Sequence, residues 1–384
     1  MASTEQRLAL EVAVLDLFQR HRKDIVIDAL RHLYFGGFYS NPLEKFSMSE
    51  DYTNSVAGAN VIDQSYGAGL GRFSGGCLLP NGRVFFAPHN SSQIAIVDPD
   101  SHNTTLTGTL TGTQQYMGAV LGSNGRAFCA PFNSNAVLEF NPTGNAIATF
   151  GNYAGNGKWS GFVPSPTNGS LYAIPYNHAS VLRVVASSRA VSLINPTNVG
   201  AVTTGKWRGG CYVPATSSIF CAPFNHPGML EINPAAGTAA VISVFPALPQ
   251  GAFSGCVCWR DGKVYFIPYN ADAVYVFDPL TDQVTKFGKL PLGGQKWMGG
   301  RLAPNGNIYC VPYNHSSILE IDPANQELRL IGNFEGEQKW MGGVITQYGN
   351  MLTIPFDAED ALSVLGTRMS GPDWWNVSAY TNFF

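Results

Sequence analysis

Charge is scarce in this sequence. Asp, Glu, Lys and Arg make up 13% of its 384 residues, against about a quarter in an ordinary globular protein, and the formal net charge is only -3. There is no run of like charges and no basic stripe, which speaks against nucleic acid and anionic membrane surfaces as partners. No apolar run approaches the length of a membrane span, so membrane insertion is not expected. The amino terminus lacks a basic segment followed by a small-residue cleavage site, so the expectation is cytoplasmic synthesis without a signal peptide. Linear signatures of catalysis are missing as well: no Gly-x-Ser-x-Gly elbow, no His-Glu-x-x-His, no phosphate loop and no pair of acids at a recurring position. On these grounds no catalytic residue and no cofactor is assigned, and the reading is non-enzymatic.

Cysteine is present but badly placed for a disulfide framework or a metal site. Seven is an odd number. Cys129, Cys221 and Cys310 share one position of an internal repeat, and Cys77 and Cys211 share another. Equivalent positions in different repeats are expected to lie far apart, which favours buried reduced thiols. Cys256 and Cys258 have no second Cys or His pair at ligand spacing, so no metal is assigned.

What the sequence has in abundance is Gly (42), Pro (24) and a repeat. Trp297-Met298-Gly299-Gly300 leads through Asn305-Gly306 and Ile308-Tyr309-Cys310-Val311-Pro312-Tyr313-Asn314 to Ile318-Leu319-Glu320-Ile321-Asp322-Pro323. Prolines equivalent to Pro312 recur at Pro88, Pro131, Pro175, Pro223, Pro268 and Pro355, in steps of about 45 residues. The leading aromatic recurs as Phe73, Tyr116, Trp159, Trp207, Phe253, Trp297 and Trp340, with Gly two residues later each time. Each copy reads as four short strands joined by turns. Asn81-Gly82, Asn124-Gly125, Asn168-Gly169, Asp261-Gly262 and Asn305-Gly306 predict type I′ hairpin turns. A four-stranded meander cannot bury both faces alone but can when stacked radially on its neighbours. The fold class is therefore all-β, a seven-bladed β-propeller of four-stranded antiparallel blades with an α-helical amino-terminal extension.

The extension covers residues 1–50. Leu8, Val12 and Leu15 fall at helical spacing, and so do Leu10, Val14, Leu17 and Phe18. An apolar face this wide needs a partner. Leu8, Val12, Leu15, Leu17 and Phe18 are the expected assembly residues, through an anchor or homo-oligomerisation segment, with docking on the propeller's own rim as the alternative. Residues 51–72 read as a linker into the first blade and 73–384 as the propeller. The aromatic tail Trp374–Phe384 reads as the last strand of the seventh blade or as a plug on the rim.

The repeat resembles propellers of the kelch and WD-repeat kind, in which the inner strand starts on the face where the second strand ends. That resemblance implies that Trp-x-Gly-Gly and Pro-Tyr-Asn share one rim. The candidate binding face is then Trp159, Trp207, Trp297 and Trp340 with His178, His226, His315, Arg208 and Arg301. Aromatics and a ring of asparagines could stack on sugars and hydrogen-bond their hydroxyls. They could equally wedge between blades and cap turns. His89 replaces the rim aromatic in the first copy, and Asp357 replaces the asparagine in the seventh.

The segments Trp340-Met341-Gly342-Gly343, Ile308–Asn314 and Trp375–Phe383 resemble a propeller-repeat family scattered among microbial and viral proteins. A helical anchor joined to a low-charge β head further resembles the layout of bacteriophage virion proteins. The resemblance implies a non-enzymatic structural or binding protein, such as a tail-fibre or receptor-binding component. Its partners would be other virion or scaffold proteins, with a cell-surface carbohydrate or protein receptor on the propeller, and its location the virion. A cytoplasmic kelch-like scaffold and a carbohydrate-active enzyme are the alternatives.

Overall fold

The structure is a computed structural model and describes residues 59–62, 66 and 69–364. It holds seven four-stranded antiparallel sheets, the blades of a propeller. Blade one is Phe73–Leu78, Val84–Pro88, Ile94–Val97 and Thr104–Thr107, and blades two to six repeat this meander in chain order. In blade after blade the first three strands are almost wholly buried, while the outermost is only partly covered, as in Ala146–Phe150 and Gln283–Phe287. Apolar clusters made from neighbouring blades fill the spaces between sheets. One joins Cys77, Phe85 and Ile96 of blade one to Ala119, Cys129 and Phe140 of blade two.

Blade seven closes the ring. Its first three strands are Trp340–Ile345, Met351–Pro355 and Ala361–Val364, and its outermost is Ala59–Ile62, paired antiparallel so that Ala59 faces Val364 and Ile62 faces Ala361. The outermost place in blade seven, one of the two read for the carboxy-terminal tail, is thus held by residues 59–62. A strand from within the stretch read as a linker takes that place, which ties the two ends of the array by backbone hydrogen bonds. The tail and the helical extension, with Leu8, Val12, Leu15, Leu17 and Phe18, lie outside the described residues.

The register explains the repeat. The leading aromatic pairs with the motif proline in all seven blades, Phe73 with Pro88 through Trp340 with Pro355. The inner strand then bulges within the next three residues. Glycine at positive φ readily makes such a bulge. Gly75 has φ +75°, and a Cβ there would stand 2.7 Å from the Gly118 Cα of the next blade. Glycine at this point both turns the chain and lets inner strands touch around the axis.

The Asn-Gly turns differ from the expected geometry. Gly82, Gly125, Gly262 and Gly306 have positive φ, but the residue before each does not. Gly82 N donates to Leu79 O at 3.0 Å and Leu79 N to Arg83 O at 2.8 Å. This is a type I turn followed by a left-handed glycine, the three-residue hairpin loop. The Asn81 side chain prefers this form because its Oδ1 accepts from Arg83 N at 3.2 Å, which it does without entering the left-handed region.

Candidate functional site: the aromatic mouth of the channel

The shared rim is built by one backbone relay. The carbonyl after each motif proline accepts from the residue just before the next blade's leading aromatic: Gln115 N to His89 O, Lys158 N to Phe132 O, Lys206 N to Tyr176 O, and so on to Arg72 N to Phe356 O, at 2.8–3.1 Å. Asparagine side chains run a second relay outside it. Asn133 Oδ1 accepts from Gly157 N, Asn177 from Gly205 and Asn225 from Gly251, each at 2.8–3.0 Å. In blade seven Asp357 Oδ1 takes the same part, accepting from Gly71 N at 2.6 Å. The asparagines thus join blade to blade and spend their acceptors on the backbone.

These relays fix the residue after each motif proline, and the seven side chains form a closed ring around the channel: His89, Phe132, Tyr176, Phe224, Tyr269, Tyr313 and Phe356. Successive ring centroids are 5.6–6.1 Å apart and tilted by 44–55°. Phe132, Tyr176, Phe224 and Phe356 are half-buried and the other three are buried. Tyr269 and Tyr313 donate their hydroxyls to Gln295 and Gln338 Oε1, both at 2.8 Å. Those glutamines, with Gln114, sit at φ of +48° to +51°, where the equivalent residue of the other blades is glycine. A left-handed non-glycine residue is strained, and strain of this kind concentrates at working sites. Against the ring pack Met117, Met298 and Met341, each one residue after a leading aromatic.

Arg208 occupies the same position in blade four. Its guanidinium reaches Met117 Sδ two blades away at 3.9 Å and lies over the rings of Phe224 and Tyr176 at 5.2 and 5.9 Å. Its charge is also felt by His89, Tyr269 and Tyr313 across the ring. His89 Nδ1 is 2.9 Å from Tyr116 O. A carbonyl can only accept, so Nδ1 carries the proton and Nε2 holds a lone pair. Among the described residues Nε2 has no hydrogen-bond partner. Burial, with a smaller contribution from Arg208, pulls the imidazole down to about 4, so it is neutral at pH 7.

The candidates named from sequence fall into two groups. Trp159, Trp207, Trp297 and Trp340 are buried between blades, and each donates its indole N–H to a backbone carbonyl at 2.6–2.9 Å. His178, His226 and His315 stack on the tryptophan of their own blade, with centroids 4.3–4.8 Å apart. Their Nδ1 atoms accept from the backbone two residues on. His226 also spends Nε2 on Val199 O at 2.7 Å, while His178 and His315 stay partly exposed. Arg208 lies over two members of the aromatic ring, and Arg301 is buried on the inner strand of blade six. Lys158, Lys206 and Lys296, pulled down to about 8 by burial, spend their ammonium groups on backbone carbonyls. From sequence, Pro-Tyr-Asn is placed on this rim and His89 is noted in place of its aromatic, but the ring residues are not counted among the binding candidates.

All seven cysteines are free and buried. They are not all kept apart, however: Cys211 and Cys256, on inner strands of neighbouring blades, bring their sulfurs to 3.6 Å. Among the described residues no three His, Cys, Asp or Glu side chains converge as metal ligands.

No protein-family model and no curated protein matches this chain. Solved structures do. A streptogramin B lyase superposes with a TM-score of 0.66 at 12% identity, over 80% of this chain and 96% of that one. A catalytically inactive histidine-to-alanine variant of virginiamycin B lyase from Staphylococcus aureus, bound to quinupristin, superposes at 0.67 with 10% identity, over 80% and 98%. The extracellular domain of a one-component system from B. thetaiotaomicron gives 0.61 at 12%, over 79% of this chain and 39% of that one. At such identities the likeness is one of fold.

It corrects the expectation of a non-enzymatic virion component all the same, because neighbours matched over nearly their whole length are enzymes. The absence of linear motifs does not exclude activity on this fold, for a physical reason. A propeller assembles its rim from separate blades, so reacting groups need never be close in sequence.

Proposed function

We propose that the protein is an enzyme of the lyase type, working at the aromatic mouth on a small molecule that carries an acidic proton next to a carbonyl. The observation that carries the reading is that His89 and Arg208 both stand at one aromatic ring. His89 presents an unprotonated Nε2, and Arg208 presents a guanidinium with no carboxylate to neutralise it among the described residues. Nε2 takes the proton from the carbon next to the carbonyl. The freed electron pair forms a carbon–carbon double bond as the leaving group departs from the neighbouring carbon with its own pair. The proton on His89 is then passed to the leaving group or to water.

Arg208 holds the negative charge that builds on the carbonyl oxygen, and low-polarity walls strengthen such an interaction. The aromatic ring holds the body of the substrate and keeps water out. The lyase neighbours, one of which loses activity with a histidine, support the reaction class; the substrate is not carried over from them.

The test is deuterium exchange in heavy water, followed by NMR, across a panel of esters and acids with such protons, quinupristin among them. The expected result is exchange into one member, with products whose masses sum to that of the substrate without added water, and loss of both in His89→Phe. A panel in which nothing exchanges, or exchange that survives His89→Phe, contradicts the proposal.

A further inference from the structure

The inner strands carry two arginines that nothing among the described residues compensates. Arg208 stands second in Trp207–Val213 and Arg301 fifth in Trp297–Leu302, further from the mouth. They are 8% and 1% exposed. Other buried charges in this molecule are met. Glu139 is held by Arg126 and Arg189, and Glu320 by Arg329. Lys296 donates to the carbonyls of Ala271, Pro291 and Gly293. The two channel arginines have nothing comparable: among the described residues no carboxylate is paired with either, and the buried Nε of each has no acceptor. Arg208 is left with a thioether and two ring faces. Arg301 is left with a 3.3 Å contact to Gly300 O of its own strand, while its field reaches Cys77 in blade one.

A buried charge without a partner is costly, and guanidinium is a flat fork of donors shaped for an oxyanion. We propose that the mouth binds a small organic carboxylate. Its carboxylate is taken by Arg208, and its apolar body lies on Phe132, Tyr176, Phe224 and Phe356, with Arg301 adding positive field from below. A single negative charge matches the single guanidinium at the ring. A phosphate dianion would set its second charge against apolar walls. This deepens the reading of the mouth as the working site, and rests on that reading for the claim that the bound acid is a substrate.

Calorimetric titration of the full chain tests it, with benzoate, benzamide and inorganic phosphate as probes. Benzoate has no proton to lose next to its carbonyl, so it reports binding alone, and a failure here is separate from a failure of the exchange assay. Expected are saturable one-to-one binding of benzoate and no binding of benzamide. Phosphate should bind at least about tenfold more weakly, and Arg208→Met should weaken benzoate at least about tenfold, as loss of a charge-assisted hydrogen bond requires.

Arg208→Lys keeps the charge and loses the fork, so it serves if the methionine variant does not fold; it too should bind more weakly. Absence of saturation with benzoate overturns the proposal. So does equal affinity for benzamide, which would mean that charge is not read, or for phosphate, which would mean that the ring plays no part. Undiminished binding in the Arg208 variant that folds overturns it as well.

Discussion

Asp357 and Gly71 stand at opposite ends of the propeller array, 286 residues apart, and meet in a hydrogen bond of 2.6 Å. The carboxylate of blade seven receives the backbone N–H at the entry to blade one, in the place where six other blades use asparagine. Together with the pairing of Ala59–Ile62 on Ala361–Val364, this contact is where a linear array becomes a ring.

Loss of that acceptor should therefore loosen the closure. Asp357→Ala is expected to lower stability by about 1–2 kcal/mol, the usual consequence of leaving a part-buried donor unmet. Asp357→Asn restores an acceptor and should recover most of it. Denaturant unfolding of both variants makes the comparison, and equal loss in the two would show that charge, not acceptance, matters.

The buried imidazole of His89 makes stability depend on pH. Its folded pKa, about 4, lies below the unfolded value of 6.5, so between those values the unfolded chain binds the extra proton. Stability is fully present above pH 6.5 and falls as pH drops toward 4. For a shift of this size the loss approaches ~3 kcal/mol. His178 and His315, also lowered mainly by burial, act in the same direction. His89→Phe, which matches the ring residue of other blades, should flatten the slope; an unchanged slope would remove His89 as its source.

The tryptophans are structural wedges, and their substitution should read as such. Trp297 is fully buried and donates to Ser317 O at 2.8 Å. Trp297→Ala is expected to cost about 3–5 kcal/mol, while Trp297→Phe, losing mainly the hydrogen bond and some volume, should cost distinctly less. Thermal unfolding distinguishes the two, and a near-neutral alanine variant would contradict the packing described.

Every thiol is buried, and burial pushes Cys77 up to about 12. Titration with a thiol reagent should find none reactive in the native protein and all seven after unfolding without reductant. A shortfall of two after unfolding would point to Cys211 and Cys256, whose sulfurs already touch.

The fold was legible because the same local physics is written seven times. Bulge glycine, hairpin turn and alternating strands repeat at one period, and the pairing of Trp159 with Pro175 or Trp297 with Pro312 follows from that alignment. Closure was not legible, since Ala59–Ile62 is too short and too weakly patterned to announce itself among the small polar residues around it. The site was read in part. Arg208 and Arg301 stood out because they break the repeat. The histidines following the motif asparagine broke it too, but they stack on tryptophans. A departure in sequence does not say which way a side chain faces. His89 was noted as a departure but not named as a candidate, although it puts a titratable ring in the one position that is aromatic in the other six copies.

The central claim is that Arg208 and His89 face a ligand at the aromatic mouth, and a crystal structure of the full chain soaked with benzoate tests it most directly. The carboxylate is expected within hydrogen-bond distance of the Arg208 guanidinium and the phenyl ring against Phe132, Tyr176, Phe224 or Phe356. An empty mouth at saturating benzoate, or benzoate bound only elsewhere, would contradict it.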